Sequence, residues 1–366
     1  MSQDRRALRA LFLIDRLAVG GTETQLRILI RQLDRGRIEP YLACLHDEGA
    51  PTREDLSCKV VTLGAGRQRA TESFRNVFRL RRLLKDEAID IVIAFFPDSE
   101  EIGALAARWV GIPVVAGRRN VGHWHTPGKL RRVRAVNRLV DHYVANSFAA
   151  REVTLEREVV SPDKVSVVYN ILELGSMKCE NREAGDGFRI CCVANLRDIK
   201  GHEYLLPAMA ELVKAIPGAT LDLVGDGPCR SRLEADCRSL GLQAVVRFLG
   251  NCAKVPQLLG KYDVGVLPSL AESFPNSILE CMAAGLPVVA TNVGGTPEIV
   301  DSSVGRLVPP KDVSALANAL VELAADGDLC RRLGAAGRNR VESRFSAPKI
   351  LEDWYTVLEA VARRSR

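Results

Sequence analysis

The sequence predicts an α/β chain of two domains, and three observations carry that expectation. At 366 residues it is longer than one hydrophobic core usually serves. Short apolar runs alternate with longer helical patterns in both halves, the arrangement that gives parallel sheets covered by helices. Between the two series lies a polar, glycine-spaced stretch over residues 172–187, with Gly185-Asp186-Gly187, which reads as a linker. The expected organisation is residues 1–172, residues 173–345, and a C-terminal helical segment 346–366.

Composition narrows the class. Hydrophobic content of 47% and charged content of 26% are those of an ordinary globular protein. No apolar run approaches the 18 or so residues of a spanning helix, and the opening Met-Ser-Gln-Asp-Arg-Arg lacks a signal peptide's apolar core. The ten cysteines are scattered, with no C-x2-C pair and no Cys/His cluster at zinc spacing, so reduced, mostly buried thiols in a cytoplasmic protein are expected. The net charge of +6 sits in the first half, where Lys and Arg outnumber Asp and Glu by 28 to 21 in residues 1–170. With aromatic content of 5% and no recognised module, nucleic acid is not an expected partner.

In order, Ala10–Ile14 reads as a first strand. Gly20-Gly21 follows, then a helix with Leu26, Ile30 and Leu33 on its apolar side. A glycine pair between strand and helix lets backbone approach a ligand at a sheet's carboxyl edge, although alone it reads as a tight turn. Tyr41–Leu45 and Val60–Leu63 give two more strands. The stretch from Gly66 to Lys85 is a helix rich in arginine, with Phe74, Val77, Phe78 and Leu84 on its apolar side. It is either a solvated face or a patch for an acceptor or an anionic membrane. Ile89–Ala94 is a strand, Ile102–Val110 a helix and Pro113–Ala116 a strand leading into Arg118, Arg119, His123 and His125. Lys129–Arg138 is a second basic stretch. Val140–Asn146 is a strand, Ser147 caps a helix to Glu156, and Val165–Tyr169 closes the first series.

Phe188–Val193 opens the second series, and Arg197 and Lys200 project from the loop between it and the next helix. Leu221–Val224 ends in the turn Gly225-Asp226-Gly227-Pro228, and Val245–Leu249 continues the alternation. The densest signal runs from 263 to 300. Val264–Leu267 is a buried strand stopped by Pro268-Ser269, Glu272 lies in the loop, and Pro275 opens a helix. The amides of Asn276, Ser277 and Ile278 are then first-turn donors suited to an anion, and Glu280 stands on that helix. Val288–Ala290 is the next strand, followed by Gly294-Gly295-Thr296-Pro297, which is expected to open a further helix. Ser346–Val361 is amphipathic, with Ile350, Trp354 and Leu358 on one side.

The stretch 263–300, with its E-x7-E frame, strand end, Pro-opened helix and Gly-Gly turn, closely resembles the donor-site signature of family 4 glycosyltransferases of the two-domain GT-B fold. The resemblance covers nearly the whole chain and is sharpest from 188 to 345. It implies two Rossmann-like domains facing across a cleft, an acceptor domain first and a nucleotide-sugar donor domain second, with the C-terminal helix crossing back to the first. It implies a donor site of Gly20, Gly21, Arg197, Lys200, Gly225, Asp226, Asn276, Ser277, Ile278 and Glu280. Glu280 would accept hydrogen bonds from the ribose, and Glu272 would stand by the sugar ring as a catalytic residue. His125 best matches the family's active-site histidine, with His123 the other choice of register. Asn170-Ile171 departs from the usual Asn-Gly at the hinge.

A departing diphosphate can be neutralised by a metal or by cationic side chains with helix N-termini. The chain's one Asp-x-Asp, Asp326-Gly327-Asp328, falls between two C-terminal helices and reads as a turn, so no metal and no cofactor are expected. The expected activity is a retaining transfer from a UDP- or GDP-sugar to a saccharide or lipid-linked acceptor, in envelope or extracellular polysaccharide synthesis, with contact to an anionic membrane. The rivals are a sugar-nucleotide epimerase of the same fold and a non-catalytic sugar-nucleotide-binding scaffold.

Overall fold

The computed structural model describes residues 6–17, 20–46, 56–64, 70–122, 126–173, 187–252 and 254–364. The chain divides into two compact units, residues 1–171 with 347–366, and residues 172–346.

The first unit holds a seven-stranded sheet: β1 (Leu8–Ile14), β2 (Ile38–Cys44), β3 (Lys59–Thr62), β4 (Ile91–Phe95), β5 (Val114–Arg118), β6 (His142–Ala145) and β7 (Val165–Val167). Its order is β3-β2-β1-β4-β5-β6-β7, and every pairing is parallel. Central strands of such a sheet are covered on both faces, which is why Leu11–Ile14 and Ile91–Phe95 are unbroken apolar runs and fully buried. The C-terminal helix Ala347–Arg364 belongs to this unit. Trp354 is buried, Tyr355 Oη accepts the Asp34 amide at 2.6 Å, and Arg37 pairs with Glu352 and Glu359.

The second unit holds a six-stranded parallel sheet: β8 (Arg189–Val193), β9 (Thr220–Val224), β10 (Val246–Gly250), β11 (Val264–Leu267), β12 (Val288–Thr291) and β13 (Gly305–Val308), in the order β10-β9-β8-β11-β12-β13. Two details differ from the sequence expectation. Strand β13, only four residues long and with its middle two residues half-buried, carries no periodicity of its own. The turn at Thr296-Pro297 opens a single 3-10 turn, Thr296–Glu298, and no longer helix.

Each sheet reverses its strand order once, between β1 and β4 in the first unit and between β8 and β11 in the second. In open parallel sheets the crevice beyond the strands' carboxyl ends at such a reversal is where ligands bind.

Candidate active site

In the second unit, Lys200 follows β8 and Glu272 follows β11, so they stand on the two sides of the reversal. Lys200 Nζ donates to Glu272 Oε1 at 2.5 Å, with the two side chains 25% and 10% exposed. Ser269 Oγ donates to the same carboxylate oxygen at 2.7 Å, and Thr291 Oγ1, at the end of β12, donates to the Ser269 carbonyl at 2.5 Å. The Gly295 amide donates to the Glu272 carbonyl at 3.2 Å, which fastens the Gly-Gly turn to the same loop. Three strand ends thus converge on Glu272.

The loop after β8 is shaped by close backbone approach. Gly201 has φ +66°, and a Cβ there would lie 2.1 Å from the Pro268 carbonyl oxygen, so only glycine lets the two loops touch. Gly225, at φ +138°, would put a Cβ 2.2 Å from the Ala194 carbonyl oxygen. The Leu196 amide donates to the Asp226 carbonyl at 3.1 Å, and the Asp226 carboxylate accepts the Gly227 amide at 2.7 Å. Gly225 and Asp226 are therefore knitted to the loop that carries Arg197 and Lys200. Arg197 is exposed, and no carboxylate pairs with its guanidinium among the described residues.

Glu280 lies on the eight-residue helix Asn276–Ala283, for which Pro275 is the N-cap. Asn276, Ser277 and Ile278 form its first turn, where amides point along the axis without intrahelical acceptors. Glu280 is half-buried, and no donor or cation reaches its carboxylate among the described residues. Burial alone pushes it up to about 7. A carboxylate drawn out of water without a partner is one that a ligand's hydroxyl groups could satisfy.

Two neighbours escaped the sequence reading. Ser269, fully buried, orients Glu272, and His202, beside Lys200, is buried with Nε2 3.7 Å from Cys192 Sγ. Burial pushes His202 down to about 4, so it stays neutral. The Ser after the strand-ending Pro268 was the available signal for the first, and nothing in the sequence marked the second.

In the first unit, Gly20 is the N-cap of the helix Gly21–Gln32, which starts beyond β1 at the reversal. Its first turn carries Glu23, pushed up by burial. Across the reversal, Asp15 accepts the Ser99 amide at 3.0 Å and the Ser99 hydroxyl. A cavity of about 570 Å³ opens beyond β4 and β5, with Thr22, Phe96, Arg119, Asn120, Lys129 and Arg132 in its wall. Arg118, also at this cavity, is held within the fold. Its guanidinium holds Glu100 at 2.6 Å and Glu158 at 2.8 Å, all three buried, and lies 4.8 Å over the Tyr143 ring. His125 and His123 lie outside the described residues.

The one Asp-x-Asp is taken up by helix chemistry. Asp326 caps the helix Gly327–Arg344 by accepting the Leu329 amide at 2.8 Å, and Asp328 pairs with Arg331. Among the described residues no three His, Cys, Asp or Glu side chains are grouped so that they could hold a metal ion, and none of the cysteines forms a disulfide.

Two doubly wound parallel sheets are the architecture of the GT-B class. Comparison with known proteins agrees: residues 19–175 match the family described as Glycosyltransferase Family 4, and residues 187–326 match Glycosyl transferases group 1. The chain belongs to this family of glycosyltransferases.

Among curated proteins it is 31% identical to N-acetyl-alpha-D-glucosaminyl L-malate synthase of Bacillus anthracis, over 56% of each chain. It is 26% identical to a UDP-Gal:alpha-D-GlcNAc-diphosphoundecaprenol alpha-1,3-galactosyltransferase of Escherichia coli, over 77% of this chain and 78% of that one. Among solved structures, Anabaena HepE in complex with UDP and glucose superposes with a TM-score of 0.85 at 23% identity, covering 96% of this chain and 99% of that one. Sucrose-phosphate synthase of Thermosynechococcus elongatus does so with a TM-score of 0.85 at 22% identity, at the same coverage. These two likenesses establish the fold.

Proposed function

We propose that this protein is a retaining, metal-independent glycosyltransferase that moves a sugar from a UDP- or GDP-linked donor to a saccharide or lipid-linked acceptor. The observation that carries the reading is the Lys200–Glu272 pair at the strand reversal, with Arg197 unpaired beside it. Breaking a glycosyl–diphosphate bond builds negative charge on the leaving phosphates. Arg197 as a fork, Lys200 as a point charge and the first turn of Asn276–Ala283 would neutralise it without a metal. Glu272 would stand by the sugar ring and Glu280 would accept the ribose hydroxyls. The second unit is thus read as the donor domain and the first as the acceptor domain.

The proposed setting is envelope or extracellular polysaccharide synthesis at an anionic membrane. The diphosphoundecaprenol-linked substrate named for the Escherichia coli relative supports a lipid-linked acceptor. So does an exposed face of the first unit. The helices Ala70–Asp86 and Pro97–Val110 present Phe74, Phe78, Leu105 and Trp109 to solvent, interleaved with Arg75, Arg82 and Arg108. The rings of Phe78 and Trp109 lie 5.1 Å apart, and Arg81 lies 5.2 Å over Trp109. Aromatic side chains among cations suit an interface of anionic headgroups. Among the described residues no helix is long and apolar enough to cross a membrane.

The test is release of nucleoside diphosphate from a panel of UDP- and GDP-sugars, with EDTA present and saccharide or polyprenyl-diphosphate acceptors supplied, and proton NMR of the product anomer. Acceptor-dependent release with retained configuration supports the reading. An epimerised sugar nucleotide would favour the epimerase, and binding without turnover the scaffold.

A further inference from the structure

The cavity beyond β4 and β5 contains a cation that the fold does not neutralise. Arg119 donates to Asn170 Oδ1 at 2.9 Å and lies 5.3 Å over the Phe95 ring, and among the described residues no carboxylate pairs with it. The acids around the same cavity have other partners. Glu100 and Glu158 hold Arg118, and Asp98 pairs with Arg132 at 3.2 Å. Burial among its neighbours pulls the half-buried guanidinium down to about 10.

A cation drawn out of water without a counter-charge is costly. When such a cation forms the wall of an open cavity, an anion from solution can remove that cost. The cavity, about 570 Å³, is also far larger than a lone oxyanion requires and lies in the range of small-molecule sites. Its rim includes a strained backbone position. Phe96 takes φ +77° and ψ 152°, a conformation side-chain-bearing residues rarely adopt, and strain of this kind gathers at ligand sites. Thr22, one residue past Gly20-Gly21, and Asn120 add neutral polar lining.

We infer that this cavity binds the acidic group of the acceptor, a phosphate or a carboxylate carried on a sugar, with Arg119 as the anion-binding residue. The inference rests on the glycosyltransferase reading and names the acceptor's chemistry within it. The planar fork of Arg119 meets two oxygens of the anion, and the remaining volume holds the sugar ring.

Calorimetric titration of the full chain with glucose 1-phosphate, glucuronate and methyl glucoside tests it, on the wild type, Arg119→Gln and Arg119→Lys. At least one acid should bind the wild type about tenfold more tightly than methyl glucoside, and comparing the two acids tells phosphate from carboxylate. Arg119→Gln should abolish that preference, and Arg119→Lys should restore part of it. Because an unpaired desolvated charge is removed, the melting midpoint of Arg119→Gln should not fall, and its affinity for UDP should equal the wild type's. The inference is overturned if neither acid outbinds methyl glucoside or if Arg119→Gln keeps the preference. It is also overturned if the midpoint falls, which makes the residue structural, or if UDP affinity falls, which places it on the donor. Failure of the parent reading looks different: UDP would not bind the wild type, while acid binding dependent on Arg119 would persist.

Discussion

Lys200 and Glu272, 72 residues apart in the chain, meet at 2.5 Å across the strand reversal of the second sheet. The carboxylate holds the lysine, and a diphosphate bound there would compete for it. Glu272→Gln therefore releases Lys200. Titration with UDP should show affinity equal to or above that of the wild type, while the transfer rate falls by about a hundredfold or more. Lys200→Met should instead weaken UDP binding by about 1.5–3 kcal/mol. Parallel losses of affinity in both variants would show that the pair is merely structural.

Glu280 makes nucleotide binding and stability respond to pH in opposite ways. The folded carboxyl holds its proton up to about 7, and the unfolded chain releases it near the ordinary value of 4.5. Between these limits the folded state binds more protons, so this group's contribution to stability falls as pH rises from 4.5 and is lost above 7. Melting curves of Glu280→Gln should match the wild type near pH 4 and show a higher midpoint at pH 8. Nucleotide binding, which needs the ionised carboxylate to accept hydroxyl donors, should strengthen through pH 7 in the wild type and stay flat in the variant. A midpoint difference independent of pH would refute the assignment.

Gly201→Ala should be among the most damaging single-methyl changes in the second unit. The added carbon meets the Pro268 carbonyl oxygen at 2.1 Å on a backbone already at φ +66°. Urea unfolding should show a loss of about 1–3 kcal/mol. Because the same contact aligns Lys200 with Glu272, UDP affinity should drop with it. An unchanged affinity would mean that the loop geometry does not serve the site.

The aromatic and basic face of the first unit gives a separable expectation. Replacing Phe74 and Trp109, 71% and 56% exposed, by serine should abolish co-sedimentation with vesicles of anionic phospholipid. Soluble-acceptor transfer should be retained. Salt should weaken wild-type binding, since exposed charges are screened. Equal binding to neutral vesicles, or none to anionic ones, would remove the membrane from the account.

Much of this architecture is legible before any coordinates, because parallel sheets write themselves as apolar runs. Val264–Leu267 was bounded to the residue, and β1 and β8 to within two residues, since both faces of each strand are buried and polar residues begin abruptly at the carboxyl end. The first-turn placement of Asn276, Ser277 and Ile278 followed from Pro275 alone. What escaped are relations between distant residues. The double arginine reads as one basic loop, yet Arg118 ends β5 and closes a buried triad with Glu100 and Glu158, 18 and 40 positions away, while Arg119 has no carboxylate partner among the described residues. Desolvation depends on what packs around a side chain and not on its neighbours in sequence. Likewise Glu272 and Glu280 share a motif in the chain, but their environments differ: one carboxylate is ion-paired, the other half-buried with no partner among the described residues.

The central claim is a metal-independent donor site in the second unit. Its most direct test is thermal unfolding with a panel of nucleoside diphosphates and their sugars, in EDTA, on the wild type, Arg197→Ala and Glu280→Ala. A ligand at a hundredfold excess over its dissociation constant stabilises by about 2.7 kcal/mol, a shift of several degrees. The account predicts that one UDP- or GDP-sugar raises the wild-type midpoint with EDTA present and that both variants lose the response. It is contradicted if no member of the panel moves the midpoint, if a divalent metal is needed, or if both variants respond as the wild type does.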